Sequence, residues 1–202
     1  ALIKNIRNKS YSCALLDGVT GSGKTEVYFE AVAEALKQEK QVVIMLPEIA
    51  LSNAFLDRFK KRFGCAPALW HSALTPAQRR KTWRGVVTGE TKVIVGARSS
   101  LLLPYQNLGL IIVDEEHDPA YKQEDQVIYH ARDMAVMRAF TEGITICLAS
   151  ATPSLETMQN VWGGRYEHLH IPERYGGALL PDIHVIDMRE HKPADAQHFI
   201  SS

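Results

Sequence analysis

The stretch that most constrains this chain is Gly18-Val19-Thr20-Gly21-Ser22-Gly23-Lys24-Thr25, which satisfies G-x-x-x-x-G-K-[ST] at every fixed position. Its flanks suit it. Cys13–Leu16 is a short apolar run that reads as a strand, and Val27, Ala31, Val32, Ala35 and Leu36 carry helical spacing after the turn. Strand, glycine turn and helix in that order make a phosphate site. Glycines let backbone N–H groups close around a β-phosphate, and the helix N-terminus adds a partial positive charge. Gly18, Thr20, Gly21, Ser22 and Gly23 supply the cradle, Lys24 reaches the β/γ oxygens, and the Thr25 hydroxyl is a ligand for Mg²⁺. The bland alternative is a Gly/Ser turn followed by a chance Lys-Thr.

The rest of the chain repeats the alternation. Gln41–Leu46, Ala68–Trp70, Lys92–Val95, Leu110–Val113 and Thr145–Ala149 read as strands. Between them, Lys24 to about Lys37, Ser52–Phe63, His130–Phe140 and Ser154 to about Trp162 read as helices, and Thr75-Pro76-Ala77-Gln78 is a capped helix start. This order predicts an α/β fold with a mainly parallel central sheet covered on both faces, a three-layer P-loop NTPase domain whose chemistry lies at the carboxyl ends of the strands. Residues 1–172 are expected to form it. Glu173–Pro181 reads as an exit linker, 173–202 lead away from the domain, and Ile183–Asp187 is a candidate last strand.

At 202 residues, 46% hydrophobic and 23% charged, the chain can bury one substantial core. Its formal net charge of zero argues against a strong global field for nucleic acid, leaving Lys60–Arg62 and Arg79–Lys81 as local contacts or, alternatively, solvated helix faces. Cys13, Cys65 and Cys147 are far apart and read as reduced residues of a cytoplasmic protein, not as a zinc site or disulfide framework. No apolar run approaches membrane length and no secretory leader is visible. The first residue is Ala1, so a piece of a longer protein is expected.

A second constellation follows the strand Leu110–Val113: Asp114-Glu115-Glu116-His117. Four apolar residues running into acids is the Walker B pattern. Asp114 would hold Mg²⁺, and Glu115 would orient and polarise the water that attacks a γ-phosphate. The alternative is a solvated acidic turn. His117 either links nucleotide state to a neighbouring strand or is a hydrogen-bonded structural residue. Third comes Ser150-Ala151-Thr152, directly after the strand Thr145–Ala149. The Ser150 and Thr152 hydroxyls can bond toward the acidic turn, or the tripeptide is an ordinary cap for the helix that follows.

GSGKT, DEEH and SAT, with Pro47–Leu51 between the first two, resemble a superfamily 2 helicase. Asp17–Tyr28, Asn107–Asp118 and Tyr121–Val136, supported by His71–Trp83, Gly96–Pro104 and Ser150–Thr157, sharpen the resemblance to the bacterial primosomal protein N′ family of replication-restart helicases. The resemblance runs from about Leu15 to Arg189. It implies the first RecA-like lobe of an ATP-dependent DNA helicase that moves 3′ to 5′, with forked and single-stranded DNA, single-strand-binding protein and other primosome proteins as partners. It also implies that Pro47–Leu51 and Gly96–Ser100 face the DNA backbone. Arg98 then contacts phosphate, or alternatively makes a salt bridge within or between lobes. Asp118–Arg132 resembles an aromatic-rich loop in which Tyr121, Lys122, Tyr129 and Arg132 sense single-stranded DNA and report to Glu115 and His117. The alternative is a loop folded down as core filler.

Two departures matter. The family's Gln-containing adenine-recognition segment is not found in Ala1–Tyr11. A second lobe, which in that family brings the arginine finger and zinc-binding cysteines, is expected outside these residues, so this piece alone should turn over ATP very slowly. Two other readings stay open: a double-stranded DNA translocase without strand separation, and a module in which ATP merely switches partner binding.

Overall fold

The computed structural model describes residues 1–47, 52–125 and 127–177. Seven strands form one parallel sheet: β1 (Ser12–Gly18), β2 (Gln41–Met45), β3 (Ala68–Trp70), β4 (Val93–Gly96), β5 (Leu108–Asp114), β8 (Thr145–Ser150) and β9 (Glu167–Ile171). A two-stranded ribbon, β6 (Lys122–Gln123) and β7 (Tyr129–His130), stands apart from it. The sheet order is β3-β4-β2-β5-β8-β1-β9, and every pair in it is parallel. The central strands are near-continuous apolar runs because helices cover both faces, so no residue of β2 needs to face water.

Alternation along each strand sorts the core into two halves. Leu16, Val42, Ile44, Leu110 and Ile112 join Phe29, Val32 and Phe59 from α2 (Lys24–Lys37) and α3 (Asn53–Phe63). Leu15, Val43, Ile111 and Leu148 join Ala131, Ala135 and Ala139 from α5 (Ala131–Glu142), with Met158 and Val161 of α6 (Leu155–Trp162) at the margin. Helix α4 (Pro76–Val87) starts at a capping box between Thr75 and Gln78 and packs at the β3–β4 end of the sheet. The result is the expected three-layer α/β architecture with a parallel sheet. Cys13 and Cys147 are buried and Cys65 is exposed, all free. Among the described residues, no helix is long and apolar enough to cross a membrane.

Helix α1 (Leu2–Asn8) and strand β9 were not anticipated, and neither was the ribbon of β6 and β7 within the expected loop. Helix α1 buries Leu2 and Ile6, and Arg7 forks onto Glu34 of α2. Its three apolar residues, Leu2, Ile3 and Ile6, span under two turns, too short a run to stand out as a period. Strand β9 reads Glu-His-Leu-His-Ile, and only Leu169 and Ile171 pack on the core, so at the sheet edge its apolar signal is weak. Of the expected exit linker, the described part turns at Tyr175–Gly177, where the Tyr175 N–H donates to the Gly21 carbonyl at 3.0 Å. Ile183–Asp187 and residues 48–51 of the Pro47–Leu51 stretch lie outside the described residues.

Candidate nucleotide site and coupling loop

Strand β1 delivers the chain to Gly18, and α2 begins at Lys24, so the glycine turn spans the carboxyl edge of the sheet. Gly21 and Gly23 take φ of 82° and 91°, a region open to glycine at no steric cost, and Gly23 caps α2 without a side-chain bond to its first N–H groups. Gly18 is needed for another reason: a Cβ there would stand 2.9 Å from the Ile171 carbonyl oxygen. The Lys24 ammonium is buried and donates to the Gly18 carbonyl at 2.7 Å. The Ser22 hydroxyl is buried with no hydrogen-bond partner among the described residues, and Thr20 is exposed.

Strand β5 delivers the acids, with β8 lying between it and β1. Tyr28, on the first turns of α2, closes that gap: its phenol donates to Asp114 Oδ2 at 2.9 Å. Burial pushes the Asp114 carboxyl up, and the Tyr28 bond opposes that shift. Glu115 sits at φ 49°, left-handed for a residue with a Cβ, at a cost of about 1–2 kcal/mol. Its carboxylate lies 3.7 Å from His117 Nδ1, which shares a 2.8 Å hydrogen bond with the Ser150 hydroxyl. Ser150 also accepts from the Thr152 N–H at 3.0 Å, so the hydroxyl tripeptide and the acidic turn are joined through His117. The cap of α6 is Ser154, not Thr152.

Glu116 is the residue that sequence reasoning undervalued. Its side chain is fully buried and accepts from Arg132 Nη1 (3.0 Å), the Ser154 N–H (2.7 Å), the Ser154 hydroxyl (3.1 Å) and the Thr157 hydroxyl (2.9 Å). The Glu116 N–H donates to Ala149 of β8 at 3.0 Å. One carboxylate thus ties the acidic turn to α5 and α6. No local pattern marks it, because its partners lie 16 to 41 positions away.

The loop after the acids corrects three expectations. Tyr121 is 1% exposed, its ring packed in the core and its phenol donating to the Met45 carbonyl (2.9 Å) and the Asp114 carbonyl (2.6 Å). It is not placed to stack on a base. Burial, with nearby acids adding to it, holds the Tyr121 phenol well above its ordinary value, so it remains a donor. Arg132 is likewise buried, against Glu116, Asp133 and Ser154, and does not present its guanidinium to a phosphate. Arg98 Nη1 donates to the Ala120 and Lys122 carbonyls at 3.2 and 2.8 Å, so it clamps the loop. Of the remaining two, Lys122 is exposed beside Glu124, and Tyr129 is half-buried on the ribbon. Val127 and Ile128 at the ribbon's tip are 72% and 75% exposed.

These residues fit a magnesium-bound nucleotide. A buried ammonium rests on its own loop's carbonyl, a buried hydroxyl lacks a partner among the described residues, and a carboxyl whose pKa burial raises stands across from both. An incoming polyphosphate and cation would satisfy all three.

Comparison with known proteins shows the family and the fold. The family model described as DEAD/DEAH box helicase matches residues 1–161. Replication restart protein PriA of Rickettsia felis is 50% identical over 187 residues, 93% of this chain and 29% of the relative. Its counterpart in Haemophilus influenzae is 44% identical over 182 residues, 90% of this chain and 25% of the relative. The chain therefore spans under a third of the length of these relatives. Among solved structures, RecG bound to a three-way DNA junction superposes with a TM-score of 0.63 at 24% identity, over 86% of this chain and 23% of that one, a likeness in the RecA-like fold.

Proposed function

The chain belongs to the DEAD/DEAH box helicase family, and from that premise we propose that it is the ATP-binding motor lobe of a 3′–5′ DNA helicase acting in replication restart. Residues 1–172 are the lobe, and 173–202 lead toward a second one. The observation that carries the reading is the Tyr28–Asp114 bond, which draws the glycine turn and the acidic turn together across β8.

Gly18, Thr20, Gly21, Ser22 and Gly23 cradle the phosphates, and Lys24 leaves the Gly18 carbonyl to meet the β/γ oxygens. Thr25 and Asp114 would hold Mg²⁺, which when bound offsets charge on the β- and γ-phosphate oxygens. Glu115 orients the attacking water and takes its proton. DNA engages the loop through Lys122 and Tyr129, with Val127 and Ile128 beside them. Tyr121, bonded to the Asp114 carbonyl, relays the loop's position to the acids, and the Ser150–His117 pair relays from β8 to Glu115. The PriA relatives support replication restart as the setting; forked and single-stranded DNA, single-strand-binding protein and other primosome proteins are the partners proposed with it.

Glu115→Gln in the full-length protein tests this. Loss of a general base should lower DNA-stimulated ATP hydrolysis by about 10²–10⁴-fold while Mg-nucleotide binding persists, and unwinding of a duplex with a 3′ single-stranded tail should cease. Hydrolysis at the wild-type rate would overturn the assignment.

A further inference from the structure

Strand β9 carries His168 and His170, and the period of two puts both on one face. Leu169 and Ile171 pack into the core on the other face, so a one-residue slip would expose the apolar pair, and the face of the histidines is fixed. The parallel register sets Asp17 of β1 opposite His170 and Leu15 opposite His168. Asp17 therefore stands beside both rings: its Oδ2 is 3.1 Å from His168 Nε2 and 3.0 Å from His170 Nδ1. Among the described residues these three bring ligand atoms within 4.8 Å of one another.

We propose that Asp17, His168 and His170 bind one Zn²⁺-type divalent ion, with water completing its shell. Two imidazole nitrogens and one carboxylate oxygen suit zinc and its first-row neighbours, whereas Mg²⁺ and Ca²⁺ take oxygen ligands. Zinc–ligand bonds of about 2.0–2.2 Å in a tetrahedron set ligand atoms roughly 3.4 Å apart. The carboxylate needs to retreat from each ring by only a few tenths of an ångström, and the histidine side chains, 36% and 52% exposed, are free to follow. Exposure also gives the ion a path in. The site differs in kind from cysteine-based zinc binding and from the magnesium position at Asp114.

Its place in the fold gives it a consequence. Asp17 precedes Gly18, whose carbonyl holds Lys24, and β9 leads directly to the Tyr175–Gly21 contact. An ion there bolts the edge strand to the root of the glycine turn.

The test is calorimetric titration of Zn²⁺ into the 202-residue chain carrying Cys65→Ser, which removes the exposed thiol as a competing ligand. One ion per chain should bind, raise the thermal midpoint and be released on acidification, because ligating imidazoles must be deprotonated. His170→Ala and Asp17→Asn should each lower affinity at least about tenfold, with far-UV circular dichroism showing the fold retained, and His71→Ala should leave it unchanged. Co²⁺ substitution gives an independent spectroscopic reading of nitrogen and oxygen ligands. Unchanged affinity in the Asp17 and His170 variants, or no binding at millimolar Zn²⁺, would reduce the trio to a hydrogen-bonded carboxylate and overturn the proposal.

Discussion

Replacing Glu116 by alanine removes a carboxylate that accepts four hydrogen bonds in a fully buried setting, one of them from an arginine whose side chain is 7% exposed. The lost bonds matter less than the buried guanidinium left with only the exposed Asp133 carboxylate beside it. Breaking one partner of such a pair costs about 3–5 kcal/mol. For a chain of this size that is a fall in Tm of roughly 6–20 °C. Urea unfolding followed by circular dichroism should show the midpoint drop at unchanged slope. Glu116→Gln keeps the shape and loses the charge, so about 1.5–3 kcal/mol is expected. The double replacement Glu116→Leu with Arg132→Met removes both charges and should cost less than the two single changes added together. A Glu116→Ala protein within about 0.5 kcal/mol of wild type, the range of ordinary surface changes, would refute the view that this carboxylate joins the acidic turn to α5 and α6.

Two other outcomes follow from particular contacts. Tyr121→Ala should destabilise by about 3–5 kcal/mol, as for a buried aromatic, and Tyr121→Phe by about 1 kcal/mol through its lost hydrogen bonds; a near-neutral Tyr121→Ala in urea unfolding would return the ring to the surface. The Arg7 hydrogen bonds hold the Glu34 carboxyl down at about 2, below its ordinary 4.5. Stability from that pair is therefore complete above pH 4.5 and is lost as pH falls toward 2. The difference in urea midpoint between wild type and Arg7→Ala should shrink over that window, and a constant difference from pH 6 to pH 2 would contradict it.

The parts that were legible in the sequence are local. The turn from Gly18 to Thr25 announces itself because glycine spacing, a preceding apolar run and a following helical period occupy adjacent positions, and the acids after Val113 do so for the same reason. Tyr121 shows the limit. An aromatic among Lys, Gln and Tyr in a loop has the composition of a nucleic-acid surface, yet its phenol satisfies the carbonyls of Met45 and Asp114, 76 and 7 positions away. Arg98, Glu116 and Arg132 likewise serve partners that only the folded chain brings near. The pairing of Asp17 with His168 and His170 depends on a strand register spanning 151 and 153 positions, and no short pattern encodes it.

On the reading proposed above, the glycine turn and the acids ending β5 grip the terminal phosphates of ATP together. A crystal structure of the chain grown with Mg²⁺ and a non-hydrolysable ATP analogue tests it most directly. The phosphates should sit on the N–H groups from Gly21 to Thr25, with the Lys24 ammonium moved from the Gly18 carbonyl onto them and the cation between Thr25 and Asp114. Phosphates bound elsewhere, or a Lys24 still resting on Gly18 with the nucleotide present, would contradict it.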